Sequence, residues 1–383
     1  MKRLSLHEPK FQGNELKYLK KCIQSTWVST SGEYIEKFEK RIATYTKSKF
    51  AVACNSGTSS LHISLLVAGV SHNDEVIVPT LTFIAPINAV SYVNANPIFM
   101  DCDQYFNIDI KKTIEFINNE TLFKNGFTIN KKTRKKIKAL VVVHVFGNAV
   151  ALAEIQKLCK KRNIKIVEDC SESLGTFYRN KKKSRHTGAY GDLSCISFNG
   201  NKVITSAAGG IILTNSRKYN KKIRYLIRQA KDDELNFIHN QIGYNYAQTN
   251  IHAAIGYAQL ENIKSILRKK KVIKKKYISL LKNNNNFSIH TSPDYSENNN
   301  WLNILKIKNT KNNNRKKLIA KLIKNNIYVR PIWKLNHLQK QFKNCQRYKI
   351  SNAGKMFSNS ICLPSSYFLT YNDLNRVIRV INE

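Results

Sequence analysis

A mostly parallel α/β sheet flanked by helices, with a smaller α+β domain behind it, is the fold this sequence predicts. Its 383 residues suffice for two domains with a large core. From about residue 50, short β-branched runs alternate with helix-like segments, which is the pattern of a parallel sheet. Past residue 215 the alternation is lost.

The first strand is Phe50–Cys54 (FAVAC), and a helix over Thr58–Ala68 follows it. Glu75–Val78 is the next strand, and Phe83–Val93 reads as a helix because Pro86 falls in its first turn, where no backbone N–H is needed. Pro97–Met100, Ala139–His144 and Ile164–Glu168 continue the strands, with a helix over Ala151–Lys161 between the last two. Leu193–Phe198 and Gly210–Thr214 are two more strands. A helix near Lys218–Lys231 and a long one over Asn250–Ser279 come next. In the Asn-rich stretch Asn283–Asn300 no periodicity survives. A strand (Trp301–Ile307), a helix (Asn314–Asn325), a strand (Ile327–Arg330) and a terminal helix complete the chain. The boundary is placed near residue 263, dividing the chain into 1–262 and 263–383.

Composition narrows the function. Hydrophobic residues make up 42% and aromatic residues 10%, with 15 Gly and 7 Pro, which excludes disordered and collagen-like chains. The 64 Lys+Arg against 25 Asp+Glu leave a net charge of +39. Such a field suits a polyanion binder. The basic clusters Lys131–Lys138, Arg179–Arg185 and Arg268–Lys276 nevertheless lack the interleaved aromatics of a base-stacking surface, so they read as solvated faces. The eight cysteines form no C-x-x-C pair and read as reduced core thiols. The N-terminus MKRLSLHEPK has no apolar signal segment, and no run is long enough to span a bilayer. A cytoplasmic protein is expected.

Three stretches can carry chemistry. Asn55-Ser56-Gly57-Thr58-Ser59-Ser60 links a strand to a helix N-terminus, which is either an anion site or a plain turn. Glu168-Asp169 ends a parallel strand, where ligands usually bind. A carboxylate there either holds a protonated heteroaromatic nitrogen or caps a helix. Ser194–Lys202 is a strand running into a polar loop with one lysine whose immediate neighbours are Asn201 and Val203. That lysine is either an ordinary surface lysine or, if partly desolvated, one able to form an imine. His144, after a strand, reads as a satisfied core histidine.

The order of these parts, together with LHEPKFQGNELKYLKKCIQSTWVSTSGEYIEKFE, NSGTSSLH, PTLTFIA, VEDCSESLG, SFNGNKVITSAAGG, GYNYAQTNIHAAIGYAQLE and RPIWKLNHL with NCQRYKISNA, resembles the DegT/StrS sugar aminotransferases, most closely their LegC-like branch. The resemblance runs from about Leu6 to Pro364. It implies a fold-type I aminotransferase using pyridoxal 5'-phosphate, with no metal. By similarity, Lys202 holds the cofactor through an imine and later moves protons as the free amine. Asp169 faces the pyridine nitrogen, and Gly57, Thr58 and Ser197 meet the phosphate. Phe83 stacks on the ring, and Glu172 stands near the ring oxygen, either protonated or turned toward substrate. Asn245 reaches the cofactor of a neighbouring subunit in a homodimer. Arg330, Trp333 and His337 either approach the nucleotide sugar or pack the C-terminal domain. Two departures stand out: Ala247 replaces the arginine of the family's GYNYR, and Ala207-Ala208 replaces part of a glycine-rich turn.

The implied reaction takes an amino group from L-glutamate to C4 of a nucleotide-linked 4-keto-6-deoxy sugar for bacterial surface glycans of the bacillosamine or legionaminic acid type. A UDP-linked 2-acetamido sugar is the first expectation and a GDP-linked one, as in a perosamine synthase, the alternative. A rival from another class is a basic nucleic-acid-binding protein on the same fold, which would bind nucleic acid with steep salt dependence and carry no cofactor absorbance. Lys202→Ala is expected to abolish turnover and Lys182→Ala to do little.

Overall fold

The computed structural model describes residues 2–179, 184–308 and 314–383. Lys182 and the middle of the Arg179–Arg185 cluster lie outside the described residues. Seven strands build the core of the main sheet: β1 (Phe50–Cys54), β2 (Glu75–Pro79), β3 (Asn96–Met100), β4 (Lys136–Val143), β5 (Lys165–Asp169), β6 (Leu193–Ser197) and β7 (Gly210–Thr214). Their spatial order is β1-β7-β6-β5-β4-β2-β3, and Arg347–Tyr348 adds to the far edge beside β3. Pairs from β6 to β3 are parallel, while β7 runs antiparallel to both neighbours. The carboxyl ends of β1, β5 and β6 therefore open on one edge.

The helices are α1 (Glu15–Gln24), α2 (Glu33–Thr46), α3 (Gly57–Val67), α4 (Ala85–Tyr92), α5 (Ile110–Asn119), α6 (Leu152–Lys161), α7 (Arg217–Ile227), α8 (Asn250–Glu261), α9 (Ile263–Leu280), α10 (Asn314–Lys324), α11 (Asn352–Ser358) and α12 (Tyr371–Asn382). No helix among the described residues is long and apolar enough to cross a membrane. All eight cysteines are unpaired, seven of them buried.

Four expectations need correction. The long helix over Asn250–Ser279 is two, α8 and α9, broken at Asn262 with φ −96° and ψ 0°. Helix α4 starts at Ala85, so Phe83 and Ile84 precede it. The strand expected at Ile327–Arg330 is only Arg330–Pro331, the part that reaches Cys362 and Ile361. The Asn-rich stretch is not structureless, since Ser296-Glu297 pairs with Phe177-Tyr178 and Asn299 is buried.

A second sheet holds Phe287–Ile289, Asn303–Ile307, Ser360–Leu363 and Arg330–Pro331, and packs with α9 and α12 around Ile273, Tyr277, Leu305 and Val377. We propose that the larger unit, 1–262, gives way to the smaller, 263–383, at the α8–α9 junction. Leu4 joins the smaller unit's core, so the chain start is shared with it.

One contact behind the site illustrates how tightly the main core is filled. Phe38 of α2 is fully buried, with its ring centroid 5.0 Å from that of Phe198, just past β6. Gly256 of α8 lets the helix approach, because a Cβ there would lie 2.7 Å from Phe38 Cζ. Truncating such a ring leaves a cavity that close packing cannot refill, so Phe38→Ala is expected to lower the unfolding free energy by about 3–5 kcal/mol in a denaturant titration.

Candidate active site

The edge where β1, β5 and β6 end holds a cavity of 370 Å³, lined by Gly57, Thr58, Phe83, Asp169, Glu172, Ser197, Lys202 and Trp333 among others. Eight of the sequence-predicted residues thus converge from five separate segments. Asn245 and His337 do not line it, and Arg330 lines the cavity next to it.

Each side chain has a local reason for its place. Ser56 caps α3 by accepting the Ser59 N–H at 3.0 Å, and Ser60 N–H reaches Ser56 O at 3.1 Å. The Gly57 and Thr58 N–H groups are then the first-turn donors left to an anion, at the positive end of the helix. A Cβ on Gly57 would stand 2.7 Å from Ser197 Cβ, so glycine keeps open the floor between α3 and β6. Asp169, the last residue of β5, is buried, and its Oδ1 accepts the Ser171 N–H at 2.9 Å. Burial pushes its pKa up, against the pull of the Ser171 hydrogen bonds and of Lys202.

Lys202 stands in the turn after β6, where its own N–H donates to Asn199 O at 3.0 Å. Its Nζ lies 4.4 Å from the centre of the Trp301 ring. Trp301 in turn donates its indole N–H to Asn201 O at 2.7 Å. Behind it, Lys270 of α9 is fully buried and donates to Trp301 O and Ser365 O, each at 3.0 Å. Trp301 was not singled out from the sequence, because the asparagines before it carry no periodic signal. Those asparagines are anchored: Asn299 donates to Glu172 O at 2.8 Å and Leu174 O at 3.0 Å, and Asn298 to Asn148 Oδ1 at 2.8 Å.

Aromatic rings close one wall. Trp333 stacks on Phe146 with centroids 4.7 Å apart and meets Phe83 edge-on at 6.4 Å. Phe146, in a left-handed turn (φ 53°), donates its N–H to Glu172 Oε2 at 2.7 Å. His337 is buried with Nδ1 2.5 Å from Thr80 Oγ1, which ties the C-terminal segment to the end of β2. Asn245 is exposed, and its backbone carbonyl accepts from Asn55 Nδ2 at 3.3 Å beside the start of α3. His144 is satisfied on both ring nitrogens, by Glu168 Oε2 at 2.9 Å and Val150 N–H at 3.1 Å.

The residues fit the pyridoxal phosphate that the resemblance implies. Free N–H groups and the glycine floor suit its phosphate, a buried carboxylate its ring nitrogen, and a lone lysine its aldehyde. Burial raises Glu172 to about 7, Lys202 and the Phe146 N–H lower it, and Asp169 adds to the rise. The folded chain therefore holds that proton more tightly than the unfolded chain, whose carboxyl sits near 4.5. Stability from this group is intact below the unfolded value and declines as pH climbs toward 7. In cofactor-free protein, Glu172→Gln is expected to flatten that decline, gaining about 3 kcal/mol on the native chain between pH 4.5 and pH 8 in thermal melts.

Comparison with known proteins agrees with this constellation. The model of the DegT/DnrJ/EryC1/StrS aminotransferase family matches residues 9–382. The GDP-perosamine synthase of Caulobacter vibrioides is 32% identical over 385 residues, spanning 100% of this chain and 98% of that one. That of Escherichia coli O157:H7 is 38% identical over 273 residues, 71% of this chain and 70% of the other. In fold, the chain matches Helicobacter pylori PseC, an aminotransferase involved in the biosynthesis of pseudoaminic acid, with a TM-score of 0.87 at 23% identity, covering 100% of this chain and 98% of that one. With a family model matched along nearly its full length and the parts of a pyridoxal phosphate site in one cavity, the chain belongs to the DegT/DnrJ/EryC1/StrS family of sugar aminotransferases.

Proposed function

We propose that this chain moves an amino group from an amino acid, L-glutamate first among donors, to the C4 ketone of a nucleotide-linked 4-keto-6-deoxy sugar. The product is a 4-amino-4,6-dideoxy sugar nucleotide, a precursor of bacterial surface glycans. The observation that carries the reading is the meeting of Lys202, Asp169 and the α3 N-terminus in one 370 Å³ cavity. Pyridoxal phosphate, when bound, supplies the electron sink that makes the carbon–hydrogen bond beside the amino group acidic. Lys202 Nζ takes that proton and returns it on the other side of the transfer. Asp169 keeps the ring nitrogen protonated, and Gly57, Thr58 and Ser197 hold the phosphate. Glu172, raised to about 7, donates a hydrogen bond in its protonated form, where an ionised carboxylate would repel the ring oxygen. Phe83 and Trp333 exclude water from one face.

Two sugar nucleotides meet this description. The GDP-perosamine synthases among the relatives favour a GDP-linked sugar. The motifs of the LegC-like branch favour a UDP-linked 2-acetamido sugar. Offering both with L-glutamate to the purified enzyme and weighing the products separates them. Lys202→Ala is expected to abolish turnover on either, whereas Lys157→Ala, on the exposed face of α6, leaves it unchanged. Amino product from the Lys202 variant would refute the assignment.

The exposed Asn245 beside the start of α3 supports a shared site, in which this side chain completes the phosphate shell of a second copy. A cytoplasmic homodimer is then the working unit. Asn245→Ala is expected to weaken cofactor retention severalfold on dialysis while sedimentation still reports a dimer. Unchanged retention would remove this residue from the site.

A further inference from the structure

A second cavity of 280 Å³ adjoins the first, sharing Asn201, Trp301 and Trp333 as a common wall. Its own lining combines Leu302 and Cys362 with two nitrogen-bearing side chains, His7 and Arg330. No acidic side chain lines it. Arg330 is exposed at the rim and, among the described residues, has no ion pair. His7 comes from the N-terminal segment, far from Arg330 in sequence, and its Nδ1 is buried without a hydrogen-bond partner. Burial, reinforced by the charges of Lys270 and Lys202, holds this imidazole well below its usual pKa. It is therefore neutral at physiological pH, with one N–H to donate.

A buried polar atom left unpaired costs free energy, and an unpaired guanidinium at a cavity rim offers a planar fork for an anion. The pocket is too apolar for a fully hydrated ion and too cationic for a hydrocarbon. What matches it is a carboxylate on a short carbon chain whose other end lies at Lys202. We infer that this side cavity is the subsite for the distal carboxylate of a dicarboxylic amino donor, gripped by Arg330 and His7 while the donor's amino carbon faces Lys202 past the Trp301–Trp333 wall. The inference rests on the aminotransfer reading and adds the side chains that select a dicarboxylic donor. A dicarboxylic donor would fill the subsite through its distal carboxylate, and a monocarboxylic amino acid would leave it unfilled. The sugar nucleotide's diphosphate is the competing anion, and the test separates the two.

The test is titration calorimetry on the cofactor-loaded enzyme with glutarate, and with inorganic pyrophosphate as the second probe. Glutarate is expected to bind, and Arg330→Gln to weaken it roughly tenfold or more, the size of a lost charge-assisted hydrogen bond. His7→Phe should weaken it less, and Arg330→Lys should recover part of the loss in a protein whose melting temperature is unchanged. In steady state, Arg330→Gln should raise KM for L-glutamate and leave KM for the sugar nucleotide within about twofold, taking equal uncertainty on both. Glutarate binding untouched by Arg330→Gln overturns the proposal. So does pyrophosphate binding that depends on Arg330 in place of glutarate, which would give the pocket to the diphosphate. If glutarate binds through Arg330 but L-glutamate leaves the cofactor's absorbance unaltered, the subsite stands and the aminotransfer reading fails.

Discussion

The site depends on burying one carboxylate that is not part of the cavity lining. Glu168 has no exposed surface, and an ion in that position costs several kcal/mol unless its oxygens are satisfied. Its Oε1 accepts the N–H of Tyr190 at 2.9 Å and that of Gly191, and its Oε2 takes the Gly188 N–H and His144 Nε2, both at 2.9 Å. Burial alone would raise its pKa, but His144 and the loop N–H groups outweigh it and hold the carboxyl below its usual value. The loop at 188–191 and the turn after β4 are thereby fixed to the end of β5. Gly191 is required there, since a Cβ would lie 2.9 Å from Ile166 O. Successive strand residues point to opposite faces, so anchoring Glu168 on one side turns Asp169 into the cavity on the other.

Asp169 and Glu172 are then two buried acids facing one lysine. Both are pushed up by burial, and the charge of Lys202 pulls each of them down. Glu172 is also raised by Asp169. Two carboxylates in such a setting do not ionise independently, and the second is discouraged by the first. Glu172 is thereby raised to about 7, against the pull of Lys202 and of the Phe146 N–H that its Oε2 accepts. Their settings differ: Asp169 ends a strand beside its Ser171 donors, whereas Glu172 lies three residues further on and accepts the Phe146 N–H.

The sheet was legible because buried parallel strands are continuous apolar runs. Phe50–Cys54 and Gly210–Thr214 match their expected limits residue for residue. The hairpin of Thr121–Lys124 and Phe127–Asn130 was overlooked although Asn125-Gly126, both at positive φ, is the dipeptide that tight hairpins favour. The α8–α9 break was not legible, since no proline or glycine marks Asn262 and the apolar spacing runs on through it. Lys202, Asp169 and Gly57 could be read because each ends or follows an apolar strand. Trp301 and His7 could not, because their importance comes from segments far apart in the chain: Trp301 bonds to Asn201, and His7 lines the same cavity as Arg330.

That long-range contact explains how the smaller sheet bears on chemistry housed in the larger one. Lys270 belongs to α9, yet its only side-chain partners among the described residues are the carbonyls of Trp301 and Ser365. Burial drops its pKa to about 7, so retaining a lysine rather than an apolar residue there carries a free-energy cost. In return, the ammonium sets the depth of the Trp301 backbone, the indole N–H sets the Asn201 carbonyl, and the ring lies beneath Lys202 Nζ. Each link removes freedom from the turn that carries Lys202, and for the reacting amine it is proposed to be, misplacement by about 1 Å is enough to cost about two orders of magnitude in rate. Lys270 on α9 thus bears on the aim of Lys202 in the turn after β6, and the two proposed units meet at the Trp301 indole.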